Sequence, residues 1–145
     1  MRGYAAVGLD NPKTGANVGS VLRAAGCFDA SMVAVSGSRL NKYLRYMPTD
    51  TQKAYRHIPL LRTTDLSLVI PYDCVPVAVD LVENAASLVN YTHPERAFYI
   101  FGAEDATLGT RVLSWCRDAI YIPSNYCLNL AAAVNVVLYD RSSKQ

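Results

Sequence analysis

The feature that most constrains this chain is a repeated alternation of short apolar runs with longer stretches of helical period. Tyr4 to Leu9 (YAAVGL) is closed by the turn formers Asp10, Asn11 and Pro12, so it is predicted as a buried strand. From Gly15 to Cys27, the apolar residues Val18, Val21, Leu22 and Ala25 recur at the spacing of one helix face. Ser31 to Ser36, Pro76 to Leu81, Ala97 to Phe101 and Ala119 to Ile122 read as further short strands. Leu108 to Cys116 and Asn129 to Tyr139 read as helices, the second favoured by its alanines. Strands alternating with helices predict an α/β fold, a mainly parallel sheet flanked by helices. A length of 145 residues suits one domain, residues 1–145; with 51% hydrophobic against 18% charged residues, the chain can build a core and is not disordered.

Several function classes fall away. No apolar run approaches the roughly 18 residues of a membrane span. The N-terminus, MRGYAAVGLD, lacks the apolar stretch of a signal peptide, so a cytoplasmic protein with no membrane partner is expected. Cys27, Cys74, Cys116 and Cys127 form no C-x-x-C pair, and His57 and His93 stand far apart in sequence; no metal site and no disulfide is expected. A net charge of +2 neither requires nor excludes a nucleic acid, because a local patch matters more than the total. The spacings of a Walker A loop and of G-x-G-x-x-G are both absent, which weighs against a dehydrogenase-type dinucleotide site.

In open parallel sheets, ligands bind beyond the carboxyl ends of the strands, and three loops there carry chemistry. In the first, Asn11 to Arg23, Asn17 is suited to capping the following helix and Arg23 falls about a turn and a half further on. A forked guanidinium there suits a phosphate; a turn followed by a surface arginine is the plainer account. In the second, Phe101 to Gly109, Gly102 leaves room beside the strand end, and Glu104 and Asp105 stand where a helix could begin. They read as a binding loop or as carboxylates favoured at a helix N-terminus. In the third, Ile120 to Leu130, Asn129 opens the apolar helix and reads first as its cap. The segment Arg39 to Arg62 differs in character: Arg39, Lys42, Arg45, Lys53, Arg56 and Arg62 face the single acid Asp50, with Tyr43, Tyr46 and Tyr55 interleaved. Such a segment suits phosphates and stacked bases, or equally a solvated face with half-buried tyrosines.

Taken in order, the three loops resemble the TrmH (SpoU) branch of the SPOUT superfamily of RNA 2′-O-methyltransferases. Asn17, Gly19, Arg23 and Phe28 match the first motif; Phe101, Gly102, Glu104 and Leu108 the second; Ile122, Pro123, Leu128 and Asn129 the third. The match covers nearly the whole chain. Two positions depart from it. Thr107 stands where the second motif usually has glycine, with Gly109 close by, and Cys127 stands where the third usually has serine, a thiol being the weaker hydrogen-bond partner.

The resemblance implies an α/β-knot with a C-terminal trefoil knot, and a homodimer in which each partner completes the other's site. It implies S-adenosyl-L-methionine as cofactor, released as S-adenosylhomocysteine, with Val79, Gly102, Ile122, Cys127 and Leu128 binding it. Arg23 becomes the leading catalytic candidate, with Asn17, Glu104 and Asn129 shaping the pocket around it. The partner is RNA, with tRNA expected, and Arg39, Lys42, Arg45 and Arg56 are the candidate RNA contacts. Without an appended RNA-binding domain the chain is similar to the minimal type that includes the tRNA wobble-position ribose methyltransferases. The implied activity is methyl transfer to a ribose 2′-hydroxyl; the alternative is a non-catalytic or base-methylating RNA-binding protein of the same superfamily.

Overall fold

The computed structural model describes residues 3–39, 49–50 and 52–145. Its centre is a seven-stranded sheet in which every pairing is parallel. The strands are β1 (Tyr4–Asp10), β2 (Met32–Ser36), β3 (Leu60–Thr63), β4 (Val75–Val79), β5 (Ala86–Ser87), β6 (Arg96–Phe101) and β7 (Asp118–Tyr121), in the spatial order β3-β2-β1-β6-β4-β7-β5. The helices are α1 (Gly15–Cys27), α2 (Thr110–Leu113) and α3 (Leu130–Ser143).

The central strands are apolar on both faces because both faces are covered, as parallel sheets require. Alternate residues go to opposite sides. Val7 and Leu9, Val77 and Val79, and Tyr99 and Phe101 meet Val18, Val21 and Leu22 of α1 and Val134, Val137 and Leu138 of α3. Ala6, Ala34, Ala78, Phe98 and Ile100 form the opposite core with Leu66, Leu108 and Val112. Gly8 lies on that second face. A Cβ there would come within 2.8 Å of the Ile100 side chain and 2.9 Å of the Phe98 ring, so the two aromatic and branched residues of β6 depend on its bareness.

Four differences from the sequence reading have physical causes. The cap of α1 is Thr14, whose side chain accepts from the Asn17 N–H; Asn17 itself lies inside the first turn, and Arg23 follows in the third turn. The expected helix over 108–116 shrinks to the single turn α2. Gly109 is extended at its start, and past Ser114 the chain tightens into i→i−3 bonds, Trp115 N–H to Val112 and Cys116 N–H to Leu113. Glu104 and Asp105 therefore sit in a loop and not at a helix start. Conversely, α3 runs past Tyr139 to Ser143 because Arg141 is drawn into the interior, where it donates to the carbonyls of Pro94 (2.6 Å) and Glu95 (2.7 Å) and to the Tyr99 hydroxyl (3.1 Å).

Candidate functional site

Because every strand runs the same way, the exits of β1, β2, β4, β6 and β7 all lie along one edge of the sheet. The loop after β6 is fastened there from two sides. Glu104 accepts from the Asn17 side-chain amide (2.5 Å) and from the Lys13 backbone N–H (3.1 Å), joining the first loop to the second. At the loop's far end, Asp80, just beyond β4, accepts from the Leu108 N–H at 2.8 Å. Asp105 is gripped by both terminal nitrogens of Arg39 at 2.9 and 3.1 Å, and the guanidinium holds its carboxyl below the ordinary range.

Under this loop lies a cavity of about 370 Å³. Val79, Gly102, Cys127 and Leu128 line it, together with Asp80, Glu104, Asp105 and Thr107, while Leu130 and Ala133 close it from α3. Ile122 does not reach the cavity wall; it is half-buried against the main core. A second cavity, about 660 Å³, is lined by Ser20, Arg23, Asn129 and Asn135. The partition between the two is the start of α3: Leu128, Leu130 and Ala133 face the first cavity, and Asn129 and Ala132 the second. Asn129 caps that helix, its side-chain oxygen accepting from the Ala132 N–H at 2.8 Å. Arg23 is exposed on α1 and also borders a broader groove of about 800 Å³ with Cys27, Gln52 and His57. Thus Asn17 and Glu104 touch one another, Arg23 and Asn129 share a cavity, and the two pairs stand on either side of the α3 N-terminus.

The profile of the SpoU rRNA Methylase family matches residues 4–139. The chain belongs to that family. It matches no curated protein sequence. Among solved structures it is similar to the SpoU methyltransferase AviRb from Streptomyces viridochromogenes, with 22% identity and a TM-score of 0.84 over 99% of this chain and 62% of that one. The chain thus spans less than two thirds of AviRb's length. A protein whose structure concerns the 2-OH methylation of C/U34 on tRNA is 22% identical, with a TM-score of 0.81 over 98% of this chain and 96% of that one. The A. aeolicus TrmH/SpoU tRNA modifying enzyme is 15% identical, with a TM-score of 0.83 over 97% and 74%. At these identities the likeness establishes a common fold.

Within this SpoU-family fold the basic segment divides. Lys42 and Arg45, with Tyr43 and Tyr46, lie outside the described residues. Arg39 is engaged with Asp105, and Arg56 is exposed at the end of a short 3₁₀ turn, Ala54–Arg56. The lone acid of the segment, Asp50, is buried and accepts from the Ala54 (2.8 Å) and Tyr55 (3.2 Å) N–H groups, so it shapes that turn. Sequence reasoning missed Asp80 as a cavity residue and Asp105 as the partner of Arg39. An acid directly after a buried strand was the available signal for the first; no local signal marks the second, because its partner is distant in the chain. All four cysteines are free thiols, no described group of three or more His, Cys, Asp or Glu is arranged for a metal, and no described helix is long and apolar enough to cross a membrane.

Proposed function

We propose that this chain transfers a methyl group from S-adenosylmethionine to a ribose 2′-hydroxyl of RNA, with tRNA as substrate. The observation that carries this reading is a pair of cavities that both border the start of α3, one lined by Val79, Gly102, Cys127 and Leu128, the other by Arg23. Family membership supports it, as do two similar structures that hold AdoMet, those of AviRb and of a Sinorhizobium meliloti rRNA methyltransferase. The tRNA assignment leans on the C/U34 methylation structure, which is nearly the same size as this chain.

The first cavity fits the cofactor on its own terms. Its volume, about 370 Å³, falls in the range of small-molecule sites, roughly 300–1,000 Å³. Val79, Leu128, Leu130 and Ala133 offer an apolar wall to a flat adenine, and Asp80 and Glu104 offer negative charge to a sulfonium cation. When bound, the cofactor supplies the activated methyl group. The chain's own task is to align the 2′-oxygen and to stabilise the charge that develops on it. Arg23 does this by holding an RNA phosphate and the 2′-oxygen together. A guanidinium keeps its proton too firmly to serve as the base, so the hydroxyl proton passes to the neighbouring phosphate. Asn17 and Glu104 keep the first and second loops in register, and Asn129 presents the start of α3. Lys42, Arg45 and Arg56 contact the RNA backbone. In this reading residues 102–109 and 122–129 belong to a trefoil knot, residues 1–145 act as one domain, and a second copy of the chain completes each open, Arg23-bearing cavity in a homodimer.

Labelled methyl transfer to undermodified tRNA tests the proposal. Wild-type protein is expected to yield 2′-O-methylated nucleosides by mass spectrometry. The Arg23→Lys protein is expected to lose on the order of 100-fold in rate while S-adenosylhomocysteine affinity stays near wild type. A methylated base, no transfer at all, or equal rates for the two proteins rejects it.

A further inference from the structure

We propose that Arg39 is a positioning residue of the cofactor cavity, acting through Asp105 on the loop that walls it, and not a contact to RNA phosphate. The inference rests on the methyl-transfer reading above and adds a residue to it. Three observations lead there. First, the guanidinium is already engaged in the manner that suits it best: two parallel bonds to one carboxylate, at 2.9 and 3.1 Å, and a further bond from the same Nη2 to the Asn11 carbonyl at 2.5 Å. Its side chain is only 27% exposed.

Second, the end that anchors Arg39 is rigid. Asn11 has a left-handed backbone (φ 54°) and donates its N–H to the Ser36 carbonyl, joining the exits of β1 and β2. Gly37 packs so closely against it (φ 111°) that a Cβ would sit 2.2 Å from the Asn11 side-chain oxygen, so only glycine fits between them. Arg39 therefore projects from a fixed corner of the sheet edge. Third, the end it holds is the cavity wall. Asp105 lines the cavity between Glu104, tied to Asn17, and Leu108, tied to Asp80. The Arg39 bond adds a third anchor between those two, on the residue after Glu104.

An ion pair with one exposed partner contributes little to global stability. Its effect belongs in the shape of the cavity, which separates the proposal from a structural role. Calorimetry with S-adenosylhomocysteine on the full chain is the test. Arg39→Ala is expected to weaken binding about fivefold with the unfolding midpoint unmoved. Asp105→Asn should match it, and the double variant should be no weaker than either single one. Arg39→Lys should recover binding only in part, because an ammonium cannot bridge both carboxylate oxygens and the Asn11 carbonyl at once. In steady state, KM for S-adenosylmethionine should rise while kcat stays near wild type. The salt dependence of RNA binding should keep its slope in Arg39→Ala.

Wild-type affinity in both Arg39→Ala and Asp105→Asn overturns the proposal, as does a salt slope reduced by about 1, the mark of a lost phosphate contact. If Arg39→Ala does not fold, Asp105→Asn decides alone, since that carboxylate is exposed. Failure of the wild-type chain to bind S-adenosylhomocysteine would instead overturn the methyl-transfer reading and this inference with it.

Discussion

Asn129 holds two roles in one side chain, and two substitutions separate them. It caps α3 through the Ala132 N–H and faces the cavity that contains Arg23. Asn129→Ala removes both the cap and the amide, and should cost about 1 kcal/mol of stability along with activity. Asn129→Asp keeps an oxygen that accepts from the same N–H, so its urea midpoint should stay near wild type. Methyl transfer should still fall, because a carboxylate repels the RNA phosphate that Arg23 is assigned to hold. Full activity in Asn129→Asp would reduce the residue to a cap. The cap was legible in the sequence because an asparagine directly precedes an apolar helical run. At α1 the same logic chose Asn17, whereas the cap is Thr14, three residues earlier. The side chain of Asn17 is in fact spent on Glu104, a bond that spans most of the chain and that no local rule reveals. The pairing of Asp105 with Arg39 escaped for the same reason: the two are made neighbours only by the fold.

At the level of elements, legibility followed local apolar content. The limits of α1 and the central strands β1, β2, β4 and β6 are close to those read from alternation, because α1 buries one continuous apolar face and the strands bury most of their residues. The edge strands β3 and β5 bury little and left no signal, β3 lying inside the basic segment. The C-terminal turn of α3 lies beyond the apolar run read as the helix, which stops at Tyr139 before Asp140, Arg141 and Ser142. Arg141 is fully buried, its guanidinium satisfying the carbonyls of Pro94 and Glu95 and the Tyr99 hydroxyl. Replacing it with methionine keeps the stem but strands those acceptors without a donor. Arg141→Met should therefore lose about 3 kcal/mol in urea unfolding. S-adenosylhomocysteine affinity should be unchanged, because Arg141 sits at the opposite end of α3 from Asn129.

For the molecule as a whole, alternation revealed the class of fold but not the strand order. The insertion of β6 between β1 and β4 is set by which strands can be buried on both faces, and that is a property of the assembled sheet. The same long-range assembly makes stability respond to pH through His93. Its Nε2 lies 2.7 Å from the Asp140 carboxylate and its Nδ1 lies 2.7 Å from the Tyr99 hydroxyl, which in turn accepts from Arg141. A carboxylate only accepts, so the ring proton sits on Nε2 and Nδ1 accepts from Tyr99, whose phenol burial pushes up to about 12 and so keeps protonated. A second ring proton on Nδ1 would displace the bond that Tyr99 donates there and compete with Arg141 for the phenol oxygen, beside the positive Arg141 and Lys144. Burial, above all, holds His93 below its ordinary value of 6.5, against the pull of Asp140. The unfolded chain thus takes up the proton first as pH falls. Stability is full above about 6.5, declines below it by at most about 1.4 kcal/mol per pH unit, and levels off once the folded state is also protonated. Urea midpoints measured across that window should fall for the wild-type chain. In His93→Gln the midpoint should be lower at neutral pH, and the His93 share of the slope should vanish. Since this network joins β1, β6 and α3, the loss should appear in the global transition and not as a local opening. Parallel slopes in the two proteins would show that His93 does not set the response.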